Sequence, residues 1–320
     1  MPSSPKTIAI LVLAVTLLPV CARGQQMADP NFKTRVEHPA YTQGPPRVVI
    51  DEAHHNFHTA GGRYKPFADL LRSDGYEVVP GTTKFKPGGL AGVSVLVIAN
   101  ALGAESSDNA SSPAFTAAEC DVVRDWVRGG GSLLLIADHT PFGAAAEAMA
   151  QHFGVTLGKG FVFDRNHSAD NPTALVFSRD NGLLGEHPLL SGRTPDEQVK
   201  RVVAFTGESL TVPEGAAALM KLGPDAQESP SRDALGKALE GADAAAALAR
   251  PAGGRAQGLV MRFGRGRVAM FGEAAMFSAQ VIHFKEGGQE REFKMGMNVA
   301  GNDDRQLLLN VMHWLSGLLQ

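Results

Sequence analysis

Short, unbroken apolar runs alternate with amphipathic stretches along this chain. Residues 47–50, 93–99 (VSVLVIA) and 132–137 (SLLLIA) are of strand length and apolar almost throughout, and 76–79 reads as a further strand. Such runs suit strands covered on both faces, as in a parallel sheet packed between helices. Residues 64–73 carry apolar positions at helical spacing and stop at Gly75. Residues 115–127 do the same, with Thr116 and Glu119 forming a capping box and Gly129-Gly-Gly131 ending the helix. A helix over 144–153 follows. Two strands, 258–263 and 267–271, flank a Gly-Arg-Gly turn, and an amphipathic helix over 305–319 closes the chain. The order strand, helix, strand, strand, helix, strand, helix predicts a doubly wound, mostly parallel α/β sheet with a C-terminal β-hairpin and helix. The middle is less regular: 161–191 holds short strand-like pieces, and a loose insertion is expected around 213–256.

The ends of the chain add a destination. Lys6, the apolar run 7–20 and the small residues Ala22 and Gly24 have the three-part layout of a secretory signal peptide, and the run is short for a bilayer span. Residues 1–24 are therefore expected to be removed on export, which makes the protein periplasmic or secreted with no integral membrane span. Acylation of Cys21, as in a lipoprotein, is the alternative, though Leu18-Pro-Val20 is a poor match for it. An extended lead-in over 25–46 precedes one α/β domain over 47–320. Cys120 then stands alone in a helix pattern, so no disulfide framework is available and a buried thiol is the simplest reading. Roughly 290 mature residues are enough to bury an ordinary core.

Charge removes one class of partner. The net charge is −3, and the only locally basic segment, 262–267, spaces its arginines around Gly264 and Gly266. That spacing fits a solvated hairpin rather than a phosphate-tracking groove, so no nucleic-acid partner is expected.

Candidate chemistry gathers where the apolar runs end. In open α/β sheets ligands bind beyond the carboxyl ends of the strands. The first polar residues there are Asp51 and Glu52, Asn100, Asp138 and His139, and Glu273, while DEAHHNFH adds His54, His55 and His58. Each position alone suits a helix cap or turn. Together they predict one polar crevice. Imidazoles beside carboxylates suit a divalent metal such as zinc, with His54, His55, His58 and His139 as ligands and Asp51, Glu52, Asp138, His139 and Glu273 as catalytic groups. Hydrogen bonding to loops is the competing role for these histidines, and no HExxH signature is present. His152, His187 and His313 read as structural.

The segments VVIDEAHHNFHT with RYKPFADLLRSDGYEV, WVRGGGSLLLIAD, and GRGRVAMFGEAAMFSAQ with NDDRQLLLNVMHWLSG resemble the class I glutamine amidotransferase-like superfamily, over most of 47–319. That resemblance implies a flavodoxin-like fold. Glutaminases of the superfamily carry a cysteine nucleophile in a tight turn after a central strand, but the matching turn here, 136–143, places Asp138 and His139 there and has no cysteine. Cysteine amidotransfer is therefore not supported, and no Gly-x-Ser-x-Gly elbow replaces it. Two readings stay open: an exported hydrolase, metal-assisted or acid–base, and a noncatalytic domain that binds a carbohydrate or other small polar ligand. Oligomeric state is not legible.

Overall fold

The computed structural model describes residues 26–104, 110–241, 247–286 and 289–320. The first half of the chain supplies β1 (Gln26–Ala28), β2 (Arg47–Asp51), α1 (Lys65–Ser73), β3 (Glu77–Gly81), β4 (Val95–Ala99), α2 (Ala117–Arg128), β5 (Ser132–Ile136) and α3 (Phe142–Gln151). The second half adds β6 (Phe161–Phe163), β7 (Ala174–Ser178), α4 (Pro188–Ser191), β8 (Arg201–Phe205), β9 (Ala217–Lys221), β10 (Gln227–Ser229) and α5 (Arg232–Leu239). It ends with β11 (Arg250–Pro251), β12 (Ala256–Phe263), β13 (Gly266–Phe271), β14 (Ala279–Glu286), β15 (Gln289–Gly296) and α6 (Asp304–Leu315).

Seven strands form the central sheet in the order β3-β2-β4-β5-β13-β12-β9. From β3 to β13 every pairing is parallel, whereas β12 runs antiparallel to both β13 and β9. This is the doubly wound α/β architecture that the apolar runs predict, with the flavodoxin-like fold that the resemblance implies. The reason those runs lack alternation is visible in the packing. Val95, Val97, Leu134 and Ile136 join the core layer containing Phe67, Leu70 and Leu71 of α1 and Leu308 and Met312 of α6. Leu96, Ile98, Leu133 and Leu135 join the opposite layer with Cys120 and Val123 of α2 and Met149 of α3. Both faces are dry, so both parities must be apolar.

Helix boundaries follow their local chemistry. The Thr116 hydroxyl accepts the Glu119 amide, and a Glu119 carboxylate oxygen accepts the Thr116 amide at 3.0 Å, so α2 starts at the predicted capping box. The closing helix ends at Leu315, short of the predicted Leu319, because Gly317 adopts φ +88° and the Ser316 hydroxyl turns back onto the Met312 carbonyl. Cys120 is fully buried, and burial pushes its thiol up to about 11, which fits a structural thiol.

Beyond the central sheet, β6 and β7 fall among the short strand-like pieces expected over 161–191, whereas β1, β14 and β15 have no counterpart in the apolar pattern. β14 and β15 pair as a hairpin with β1 on its edge, and β6 pairs with β10. β15 (QEREFKMG) is mostly exposed and charged, which removes the apolar run that would mark it. The expected signal segment and Cys21 lie outside the described residues. Among the described residues no helix is long and apolar enough to cross a membrane.

Replacing Thr116 with Ala should lower stability by about 1 kcal/mol through the lost cap. Urea unfolding followed by circular dichroism would measure that loss.

Candidate active site at the carboxyl edge of the sheet

Parallel register brings the strand ends level. Ile136 pairs with Ala99 on one side and Phe271 on the other, so the residues after β4, β5 and β13 emerge together. Asn100 takes a left-handed conformation (φ +51°), and its side-chain oxygen accepts the Asp138 amide at 2.9 Å. The loop after β2 joins the same edge through the Phe57 amide, which donates to the Asn100 carbonyl at 2.9 Å.

His54 has a role that the sequence did not predict. Its Nδ1 lies 2.9 and 3.0 Å from the two Asp51 oxygens, and its Nε2 lies 3.0 Å from Glu119 Oε1. Phe85 and Phe115 flank the ring at centroid distances of 4.8 and 4.6 Å. Burial opposes the imidazolium, but hydrogen bonds and charge from Asp51 and Glu119 outweigh it and hold the ring above the usual histidine range. Glu119 is likewise pushed up by burial, yet its bonds to His54 and Thr116 hold it down to about 2. The three side chains form a buried clamp that ties the end of β2 to the start of α2.

The other histidines do not converge on His54. His55 is exposed with φ +50°. His58 is buried and stacks on Tyr64 at 4.5 Å; burial, aided by Arg63, lowers it to about 3, so the ring is neutral. His139 stacks on Phe161 at 4.2 Å and points Nδ1 at the Thr140 carbonyl at 2.9 Å. Because a carbonyl only accepts, that nitrogen carries the proton. Both ring nitrogens of His54 already face carboxylates, and among the described residues no three His, Cys, Asp or Glu side chains are grouped to hold an ion. Among the described residues the predicted ligands His54, His55, His58 and His139 are not grouped as a metal site: His54 is engaged by the clamp, and His58 and His139 by ring stacking. Of the predicted catalytic carboxylates, Asp51 is engaged by His54, and Glu52 accepts the Ala60 amide at 2.7 Å.

Asp138 and Glu273 are brought together. Glu273 is fully buried and accepts the Ala275 and Met276 amides at 2.6 and 2.7 Å, capping the turn after β13. Asp138 accepts the His139 amide at 2.8 Å, and its side chain keeps 13% exposure. Burial raises Asp138, and burial together with the Asp138 charge raises Glu273 well above the usual carboxylate range. The fully buried Tyr64 ring lies beside both, with its hydroxyl donating to the Ala274 carbonyl at 2.9 Å.

Two members of the site escaped sequence reasoning: Tyr64 and Glu208. Glu208 lies between β8 and β9, accepts the Lys159 amide, and keeps Oε1 buried without a hydrogen-bond partner. Burial raises it strongly, with Glu228 and Asp138 adding to the effect. Gly143 makes room for it: a Cβ there would stand 2.1 Å from Glu208 Oε2. Adjacent left-handed residues, Thr206 (φ +71°) and Gly207 (φ +74°), turn the chain toward this position. The glycine of the Gly207-Glu-Ser209 run was the available signal.

No protein-family profile matches the chain, and no curated protein matches it. Among solved structures, the mmIFT52 N-terminal domain superposes with a TM-score of 0.56 at 15% identity, over 85% of this chain and 97% of that one. A ThuA-like protein from Bacteroides uniformis gives 0.44 at 14% identity, over 86% and 93%. The cytoplasmic protein STM3548 from Salmonella typhimurium gives 0.41 at 13% identity, over 84% and 98%. Likeness at such identities concerns the fold and leaves function to the site.

Removing His54 would leave two facing carboxylates without their cation. His54→Ala should cost about 3–5 kcal/mol in denaturant unfolding. The pH dependence follows from the directions. Glu119, held low, contributes stability above its unfolded value that is lost as pH falls toward 2. His54, held high, contributes stability that is full below about 6.5 and lost as pH rises through its folded value. Asp138, Glu208 and Glu273, also held high, favour the native state at low pH and oppose it as pH climbs. His58, held down to about 3, has the opposite slope, losing stability as pH falls below about 6.5. Above that value its contribution is constant, so thermal midpoints should fall from pH ~6.5 toward pH 8. A melt series across that range would check this, and His54→Ala should flatten the upper part of the decline.

Proposed function

We propose that the carboxyl edge binds a small, hydroxyl-rich ligand of the carbohydrate type, with Asp138 as the acceptor the ligand meets first. The supporting observation is the Asp138–Glu273 pair at the ends of adjacent parallel strands, with only Asp138 reaching the surface. A carboxylate backed by a protonated neighbour accepts hydroxyl hydrogen bonds and can also exchange a proton. Aromatic surface lies next to it: Phe57 is 38% exposed and packs on Phe142 at 5.4 Å, and Phe142 in turn neighbours the His139 ring. A few convergent polar groups beside aromatic surface suit recognition of a sugar face. With the export segment expected from the sequence, that ligand would be met outside the cytoplasm.

Hydrolysis of such a ligand is the second reading, favoured by the electrostatic coupling of the two carboxyl groups. Groups whose ionisations oppose one another can divide acid and base roles. It ranks second because the histidines that suggested activated water are committed elsewhere: His54 to its clamp and His58 to the Tyr64 stack.

Saturation-transfer NMR with a panel of neutral mono- and disaccharides, run beside an assay for new reducing ends, tests both. Wild type should bind at least one sugar, and Asp138→Asn should weaken that binding at least about tenfold. New reducing ends that vanish in Asp138→Asn and shift their pH profile in Glu273→Gln would favour hydrolysis. No binding by folded wild type across the panel would contradict the proposal.

A further inference from the structure

Arg63 lies on the loop that carries the edge's histidines, just before α1, and its charge has no counterpart among the described residues. Burial disfavours the charged form of four arginines in this chain: Arg63, Arg255, Arg267 and Arg305. Three of them find acceptors. Arg255 donates to Ser209 and to the Thr156 carbonyl, Arg267 to the Trp314 carbonyl, and Arg305 to the Arg35 carbonyl. Arg63 makes no hydrogen bond or ion pair among the described residues, and its Nε is buried without a partner.

What holds Arg63 is an aromatic face. The guanidinium carbon stands 3.9 Å from the Phe57 ring centroid, a cation–π contact that uses none of the fork's N–H donors. His58 Nδ1 and Asn56 Nδ2, on buried side chains of the same loop, are also without partners. α1 opens with no acidic residue in its first turn and no side-chain cap at Tyr64, so its positive end is uncompensated. Phe57 is bound to Asn100, just after β4, by its amide and packs on the first residue of α3, so Arg63 lies at the same carboxyl edge of the sheet as Asp138.

We propose that the ligand of this edge is a polyhydroxylated carboxylate, a sugar acid, whose carboxylate is gripped by Arg63 while its hydroxyls face Asp138. The inference rests on the carbohydrate reading above and narrows it. A planar fork matches a carboxylate through two parallel hydrogen bonds. The acidic cluster of Asp138, Glu208 and Glu273 favours a single negative charge, placed at the Arg63 end, over a phosphate dianion.

Calorimetric titration of the full chain with D-glucuronate, D-glucose and D-glucose 6-phosphate provides the test, using wild type, Arg63→Gln and Arg63→Lys checked for native circular dichroism. Glucuronate should bind wild type at least about tenfold more tightly than glucose. Arg63→Gln should erase that ratio while leaving glucose binding in place. Arg63→Lys, which keeps the charge without the fork, should retain only part of it. Equal binding of glucose and glucuronate, unchanged in Arg63→Gln, would overturn the sugar-acid inference and leave the carbohydrate reading standing. Preference for the phosphate ester would overturn the choice of a carboxylate. Absence of binding by all three would overturn the inference, and the neutral-sugar panel then shows whether the broader reading falls with it.

Discussion

Parallel register is the constraint on which the rest of this structure depends. A parallel ladder fixes where each strand stops relative to its neighbours, and here it sets Ala99, Ile136 and Phe271 level. The first polar residue after each strand is then delivered to a common edge without any side chain having to search for it. Dry helical layers on both faces enforce the register, because slipping a strand would drive its polar terminus into Leu, Val and Ile packing. Glu273 illustrates the outcome. It is a fully buried carboxylate, tolerated because the turn after β13 presents two backbone amides to it.

The same edge separates two kinds of buried charge. Asp51, His54 and Glu119 neutralise one another locally and hold two elements together; their chemistry is spent on the fold. Asp138, Glu208 and Glu273 are each raised by burial; neighbouring acids add to this at Glu208 and Glu273, while His139 and Arg232 partly offset it at Asp138. Uncompensated acids are costly to the fold, which is why such groups point to function more strongly than paired ones do. Arg63, at the same edge, is a cation with no acid partner among the described residues. An edge that offers both carboxyl groups and an unspent cation is suited to a ligand that carries both hydroxyls and a negative charge.

Much of this was legible in the chain because strand ends leave a sharp local mark. Asn100, Asp138 and Glu273 each follow an apolar run, and a fold of this class brings them to one edge. The role of His54 was hidden for an identifiable reason. DEAHHNFH resembles a ligand set only while Glu119 is taken as a helix cap and nothing more; the same carboxylate that caps α2 also reaches His54, 65 residues away in sequence. Glu208 was hidden because its segment has no periodicity, and its position is set by Gly143 on a distant helix. The β14–β15 hairpin was missed because its outer strand is charged and exposed, so the hydrophobic pattern has nothing to record.

The account stands most directly on the two carboxyl groups at the centre of the edge. Carbon-13 NMR of the side-chain carboxyls, followed from pH 3 to pH 9 and assigned through Asp138→Asn and Glu273→Gln, would observe their protonation without any ligand. The account predicts that the pair still holds a proton at neutral pH, and that replacing Asp138 lowers the midpoint of Glu273. Two independent titrations near pH ~4, each unaffected by loss of the other, would contradict it.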